Sequence, residues 1–387
     1  MTPGARVAAA IEILDQVRGG IPAERALTAW ARGSRYAGSK DRAAVRDHVF
    51  DVLRAKRSLG DGDGRALMIA VALRDGWDVD ALFCGQGHAP SALTDAERSP
   101  VSVTDAAAAC DLPDWLWPLW QDSLGDQAEA AAHAQQARAA VFLRVNTRRG
   151  DRESAIRMLA DDGILAVPHE SVQTASRVVE NPRRIKTSQA YLNGYVELQD
   201  ASSQHAVAQL QVPADARVLD YCAGGGGKAL ALADMYDCQV VAHDIAPDRM
   251  KDLPARADRA GVRIETRTTA ALASAAPFDV VFCDAPCSGS GTWRRTPDAK
   301  WRFSEDDLAR YQNMQSEVIL SAADLTGQDG MLAYATCSVL RQENDAIIDK
   351  FLKTRPEWRV LYREQLVPCD DWDGFFLCCL TRDNSNL

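Results

Sequence analysis

Two cysteines stand in settings suited to chemistry. Cys287 lies in Asp284-Ala285-Pro286-Cys287-Ser288-Gly289-Ser290-Gly291 and Cys337 in Thr336-Cys337-Ser338, each at the end of an apolar run, FDVVFCD or GMLAYAT, that reads as a buried strand. In an open α/β sheet the carboxyl ends of neighbouring strands border one crevice, so two thiols and the Asp284 carboxyl are expected to face a common ligand. A lone free cysteine is usually a small buried hydrophobe. A pair at strand ends beside a carboxyl points instead to a thiolate nucleophile. An unperturbed thiol, with a pKa of about 8.5, is only a few per cent ionised at neutral pH, so a nearby cation is required. Lys228 is the candidate from the chain itself.

Lys228 closes a second motif, VLDYCAGGGGKALALADMY, in which Cys222, Ala223 and Gly224, Gly225, Gly226 and Gly227 run from a buried strand into a helix that starts near Lys228. Glycines there allow close backbone approach to a ligand and present helix N-terminal amides. Asp244 follows about 20 residues later at the end of VVAHD, where a carboxylate can accept the ribose hydroxyls of an adenosine-containing cofactor. NAD and S-adenosylmethionine both satisfy this pattern. A phosphate-binding P-loop does not, because Ala229 follows Lys228 where a serine or threonine is needed.

One reaction calls for all of these groups. Carbon 5 of cytosine is too weakly nucleophilic to attack a sulfonium methyl unless a thiolate first adds to carbon 6, which makes covalent catalysis the economical route. Addition puts charge on ring nitrogen N3, which a protonated Asp284 would neutralise. The second thiol is placed to assist expulsion of the first. The base must leave its stack, at a cost of a few kcal/mol that is least in a loop or bulge, so RNA is expected to be held beyond the base itself. Arg294, Arg295 and Lys300, interleaved with Trp293 and Trp301, are candidate RNA contacts, as are Arg144 and Arg148 further upstream.

The elements that position these residues are legible in the hydrophobic period. From residue 216 the strand runs ARVLDYC, QVVAHD, FDVVFCD and GMLAYAT alternate with helical stretches, the signature of a doubly wound, mostly parallel sheet. Before it, a short strand, VFLRVNT, and a helix, RESAIRMLADDG, suggest a small α+β module. Residues 1 to about 57 read as helices, with Val7, Ile11, Leu14 and Val17 on one face. Turn-rich segments follow at 61–64 and 85–100, and Trp115, Trp117 and Trp120 are expected as core anchors. The predicted domains are therefore 1–135, all helical; 136–195, α+β; and 196–387, the α/β sheet.

Composition narrows the class further. A chain of 387 residues suits two or three domains. It has no apolar run of about 18 residues and no signal-like N-terminus, so a cytoplasmic protein without a membrane span is expected. The ten cysteines are scattered and include no C-x-x-C pair, which favours free thiols and no metal. A net charge of −10 argues against indiscriminate coating of nucleic acid, yet residues 1–60 hold 11 Lys and Arg against 6 Asp and Glu, a balance of +5 that leaves room for a basic face. A monomer is the default for a self-contained enzyme.

At these motifs the chain resembles the RsmB/NOL1/NOP2/Sun family of RNA cytosine-5 methyltransferases. LQDASSQ at 198–204, the glycine turn, AHDIAPDRM, FCDAPCSGSGTWRR-x-P, YATCSV with Glu343-Asn344, and DGFFLCCL look like its ordered motifs, over about residues 140–382. The resemblance implies a Rossmann-like class I methyltransferase domain that uses S-adenosyl-L-methionine. It makes Cys337 the nucleophile and Cys287 the aid to product release, sets Asp284 against the cytosine, and puts Asp244, Lys228 and Arg249 at the cofactor. The N-terminal helices are similar to the NusB-like RNA-binding domain of the bacterial 16S rRNA members, which favours ribosomal over transfer RNA. Two departures stand out. The family's C-A-A-P-G-G-K becomes a turn with Gly224 and Gly225 in its middle, and Thr268 or Thr269 stands where an acid near the adenine is usual. A DNA cytosine-5 enzyme would use the Pro-Cys thiol and carry an E-N-V motif and a recognition insertion, which this sequence lacks. A non-catalytic RNA-binding assembly factor is the remaining alternative.

Overall fold

Hydrophobic period and capping together fix the first helices. In the computed structural model, which describes residues 1–60, 62–99 and 103–383, α1 (Pro3–Arg18), α2 (Ala23–Gly33), α3 (Ser39–Arg54) and α4 (Gly64–Arg74) open the chain. Thr2 caps α1 by accepting the Ala5 N–H at 3.2 Å, and Asp63 caps α4 by accepting that of Ala66 at 2.9 Å. They pack around Val7, Ile13, Leu14, Val45, Val49, Val52, Met68 and Phe83. Ile11 and Val17, expected on the buried stripe of α1, are only half-buried, because Ala9, Ala10 and Ile13 widen the buried face. Trp120 is fully buried, donates to the Ala128 carbonyl at 2.9 Å and stacks on Trp293, whereas Trp115 and Trp117 are half-buried. Asp61 and Pro100 of the two turn-rich segments lie outside the described residues.

The chain forms two compact units. One comprises Met1–Arg138 with Trp293–Phe303, and the other Ala139–Thr292 with the chain from Ser304 onward. In the second unit β1 (Val141–Val145), β2 (Ala166–Pro168), β3 (Ala175–Val178) and β4 (Val196–Leu198) make an antiparallel sheet in the order β2-β3-β1-β4. Because β4 pairs with β1, this small sheet reaches Leu198, a little past the predicted boundary at 195.

The larger sheet contains β5 (Ala216–Asp220), β6 (Cys238–Ala242), β7 (Ile264–Thr266), β8 (Phe278–Asp284), β9 (Thr326–Thr336), β10 (Trp358–Leu366) and β11 (Phe375–Arg382), in the order β10-β11-β9-β8-β5-β6-β7. Strands β5 to β9 pair in parallel, and β10 and β11 add an antiparallel edge. Alternate residues feed opposite faces. Val218, Val240 and Val280 pack with Leu230 and Leu232 on one side, while Leu219, Val241 and Val281 pack with Ile319, Ala322 and Phe351 on the other. Each fully buried side chain of this size contributes about 1.5 to 3 kcal/mol. The chain winds from β5 outward to β7, then returns to β8 on the other side of β5. That reversal opens a crevice at the carboxyl ends of β5 and β8. Among the described residues no helix is long and apolar enough to cross a membrane.

Candidate active site

The crevice is floored by the turn between β5 and the helix Gly227–Met235. Gly224 and Gly226 have φ of +53° and +81°, a region that L-side chains rarely enter, and a β-carbon at Gly226 would also run into Leu253. The Ala223 N–H donates to the His243 carbonyl at 2.8 Å and the Gly226 N–H to the Ala223 carbonyl at 2.7 Å, which folds Cys222 and Ala223 into the base of the turn. Burial pushes the Cys222 thiol well up, so it stays protonated.

Asp244, two residues beyond β6, is 2% exposed and clips this turn to the next strand. Its Oδ2 accepts the Gly224 N–H at 2.9 Å and faces Arg249 Nη1 at 3.1 Å, while Oδ1 accepts the Ala246 N–H at 2.9 Å. Arg256, which sequence reasoning missed, donates to the Gly225 carbonyl. A β-carbon at Gly225 or Gly227 would meet nothing nearer than 3.4 or 4.0 Å, so the turn keeps an open backbone face. Ile245 is 84% exposed immediately after Asp244, an apolar surface at the mouth of the turn. An isoleucine directly after a strand-end acid was the available signal. Of the two threonines at the departure from the family pattern, Thr269 Oγ1 lies 2.9 Å from His243 Nε2. Thr268 is exposed and borders a cavity of about 250 Å³ lined also by Pro247, Met250 and Arg267. An open glycine backbone, a clipped acid and an exposed isoleucine fit a nucleoside-bearing cofactor.

Beside the turn, Cys287 and Cys337 are half-buried with their sulfurs 3.5 Å apart, and Lys228 Nζ donates to Asp284 Oδ2 at 2.5 Å. The hydrogen bond with Cys287 holds the Cys337 thiol below its ordinary value, against burial and the charge of Asp284 and with help from Lys228. The same hydrogen bond, then burial, pushes Cys287 well up. Burial would weaken the hold of Lys228 on its proton, but Asp284 outweighs it and the ammonium is retained. Asp284 is thus not alone at the crevice: its carboxyl group is paired with Lys228.

The predicted RNA contacts fare differently. Arg294 and Lys300 are 2% and 3% exposed within the helical unit, where the Arg294 carbonyl accepts Arg54 Nε at 2.8 Å and Lys300 Nζ lies 3.4 Å from the Arg54 carbonyl. Arg295 is half-buried. Arg144 is 2% exposed, ion-paired to Asp234 and bonded to Gln199 at 2.6 Å. Arg148 is exposed, but its guanidinium spans the Ala233 and Tyr236 carbonyls at 2.8 and 2.7 Å. Arg294, Lys300 and Arg144 are buried, Lys300 against a main-chain carbonyl and Arg144 against the Asp234 and Gln199 side chains, because long basic side chains can bury their stems when their polar ends find partners.

Sheet order, glycine turn and strand-end acid together define a Rossmann-like methyltransferase fold. The family model for 16S rRNA methyltransferase RsmB/F matches residues 207–370, and that for the RsmF/B-like ferredoxin-like domain matches residues 112–185. The small subunit ribosomal RNA methyltransferase B of Xylella fastidiosa is 31% identical over 407 residues, covering 89% of this chain and 91% of that enzyme. The methyltransferase B of Citrobacter koseri is 32% identical over 284 residues, and there the match spans 70% of this chain and 66% of the enzyme. Among solved structures, PH0851 aligns over 99% of both chains with a TM-score of 0.78 at 23% identity, and NSun6 from Pyrococcus horikoshii, solved with SFG, over 70% and 98% with a TM-score of 0.63 at 15% identity. The chain belongs to the RsmB/NOL1/NOP2/Sun family of methyltransferases.

Proposed function

We propose that this chain methylates carbon 5 of a cytosine in 16S ribosomal RNA, with S-adenosyl-L-methionine as donor and Cys337 as the nucleophile. The observation that carries the proposal is the thiol pair. Two sulfurs 3.5 Å apart stand at the ends of adjacent strands beside the Lys228 and Asp284 pair. Relatives named as small subunit ribosomal RNA methyltransferases support the choice of RNA.

When bound in the glycine turn, the cofactor supplies an electrophilic methyl group. Asp244 would accept the ribose hydroxyls with the lone pairs that Gly224, Ala246 and Arg249 leave free, and Ile245 would offer an apolar face to the adenine. The Cys337 thiolate bonds to carbon 6 of the flipped cytosine and drives an electron pair onto carbon 5, while Asp284 passes a proton drawn from the Lys228 ammonium to N3 and so neutralises the charge that develops there. Once carbon 5 carries its methyl group, its proton leaves to solvent water, N3 returns its proton to the Asp284 and Lys228 pair, the ring double bond re-forms and the Cys337 bond breaks. The Cys287 S–H then receives the departing thiolate. RNA is held in part by the helical unit, whose Arg32, Arg35 and Lys40 are exposed around Tyr36, itself 74% exposed.

The test is transfer of labelled methyl from S-adenosylmethionine to a 16S rRNA transcript by the purified chain, with the site read by bisulfite sequencing. Label at a single cytosine carbon 5 is expected. Label elsewhere on the nucleotide, or only on transfer RNA, would overturn the assignment.

A further inference from the structure

Behind the two thiols lies a carboxylate that the reaction as written does not use. Glu343 has no exposed surface and is fully supplied with donors. Its Oε1 accepts the Ser288 N–H at 2.8 Å and Gln315 Nε2 at 3.0 Å, and its Oε2 accepts the Ser288 hydroxyl and, at 2.5 Å, the Ser338 hydroxyl. A charge so deeply buried is tolerated only with such a donor set. The identity of the donors is the informative point. Ser288 directly follows Cys287 and Ser338 directly follows Cys337, so one carboxylate grips the residue after each sulfur.

The neighbouring bonds tighten the same joint. Ser290 Oγ lies 2.8 Å from Ser338 Oγ and accepts the Val339 N–H at 2.9 Å. Asn344 Oδ1 accepts the Thr336 hydroxyl at 2.6 Å, and its Nδ2 donates to the Ser338 carbonyl at 3.0 Å. The Gly291 N–H donates to the Cys337 carbonyl at 2.9 Å. Electrostatics argue against an activating role for the carboxylate, because its negative charge disfavours ionisation of both thiols. What it supplies is geometry.

We infer that Glu343 is a positioning residue that sets the spacing of the two thiols through Ser288 and Ser338. The inference rests on the nucleophile and release roles proposed above. If geometry is the contribution, glutamine should substitute. Its amide oxygen can keep the Ser288 N–H and Gln315 bonds while its NH₂ donates to both serine oxygens. Alanine cannot.

The experiment measures methyl transfer to 16S rRNA, together with SDS-stable adducts, for Glu343→Ala, Glu343→Gln, Ser288→Ala and Ser338→Ala. Glu343→Ala should lower kcat by about a hundredfold, the loss expected when reacting groups shift by about 1 Å, with KM for RNA little changed. Glu343→Gln should recover most of that loss. Ser288→Ala should slow release, so that adduct with unmodified RNA accumulates, whereas Ser338→Ala should slow addition without accumulation. The inference is overturned if Glu343→Ala keeps kcat within about threefold, if Glu343→Gln is as impaired as Glu343→Ala, or if the serine variants behave alike. The serine pair decides the matter should Glu343→Ala fail to fold. Wild-type protein on 5-fluorocytidine RNA is the control, since fluorine blocks the loss of the carbon 5 proton. No adduct there would sink the underlying nucleophile assignment rather than the role of Glu343.

Discussion

Replacing Asp220 by asparagine tests how the sheet carries an acid at the head of the glycine turn. Asp220 ends β5 with no exposed surface, and apart from the Ala229 N–H no donor among the described residues reaches its carboxylate. Burial first, then the charge of Asp284, raises its pKa from 3.8 to about 7, against the pull of Lys228. Between those values the native state holds a proton that the unfolded chain has released. The fold therefore loses stability as pH rises through that window, and the penalty is complete above it. The gap, 7 − 3.8 = 3.2, corresponds to about 4 kcal/mol at 1.36 kcal/mol per unit of pH. Asparagine is neutral throughout and close in shape. Urea unfolding of both proteins at pH 4.5 and pH 8 gives the comparison, since every other titrating group is common to the two and cancels. Asp220→Asn should exceed wild type by about 1 kcal/mol at pH 4.5, where the unfolded aspartate is already largely ionised, and by several kcal/mol at pH 8. Parallel pH profiles, or a variant less stable than wild type at pH 8, would refute the assignment of a buried, neutral acid at this position.

Three further outcomes are expected. Cys337→Ala should form no covalent adduct with 16S rRNA while Cys287→Ala accumulates one, and denaturing gels that show the reverse would exchange the two roles. Gly226→Ala places a side chain at φ +81° and against Leu253, so calorimetry should find S-adenosylmethionine affinity reduced about tenfold or more, from about 1 to 2 kcal/mol of backbone strain plus the clash. Burial lowers the pKa of Lys300 from 10.5 to about 8, so its charged form costs the fold up to about 3 kcal/mol below pH 8, a cost relieved as pH rises toward 10.5. Lys300→Met should thus raise the melting temperature at pH 7 and leave the affinity for RNA and its salt dependence unchanged, whereas a smaller salt slope would return Lys300 to the RNA surface.

The parts of the molecule that short-range pattern governs were legible in the sequence. Strand ends, the glycine turn and the placement of Asp244, Asp284, Cys287 and Cys337 follow from hydrophobic runs a few residues long, because backbone burial and chain reversal are decided locally. The destination of long polar side chains is not decided locally. Trp293, Arg294, Arg295 and Lys300 have the composition of an RNA-contacting loop, yet the segment Trp293–Phe303 packs with the helical unit, where Trp293 is buried on Trp120. Nothing in the neighbours of Arg144 announces Asp234 as its partner 90 positions away. The antiparallel edge was obscured for a related reason. In WRVLYREQL Arg359, Arg363 and Glu364 interrupt the apolar residues as on a surface helix or loop, and only its pairing with the apolar FFLCCL of β11 makes it a strand.

The same distinction explains why the two thiols could be found but not ranked by physical argument from sequence. Both follow strands of similar composition, and each is followed by serine. Their difference arises across the gap, where the sulfurs stand 3.5 Å apart within hydrogen-bond reach of each other. Lys228 reaches the pair from another segment of the chain and Asp284 from three residues before Cys287, and of these only the lysine favours a thiolate at Cys337. The clasp of Glu343 on both serines holds Cys287 against Cys337, and on the proposed reading this contact is what lets Cys337 attack. The asymmetry is thus a product of tertiary geometry, and any change that widens the gap between the sulfurs should erase it before it disturbs the fold.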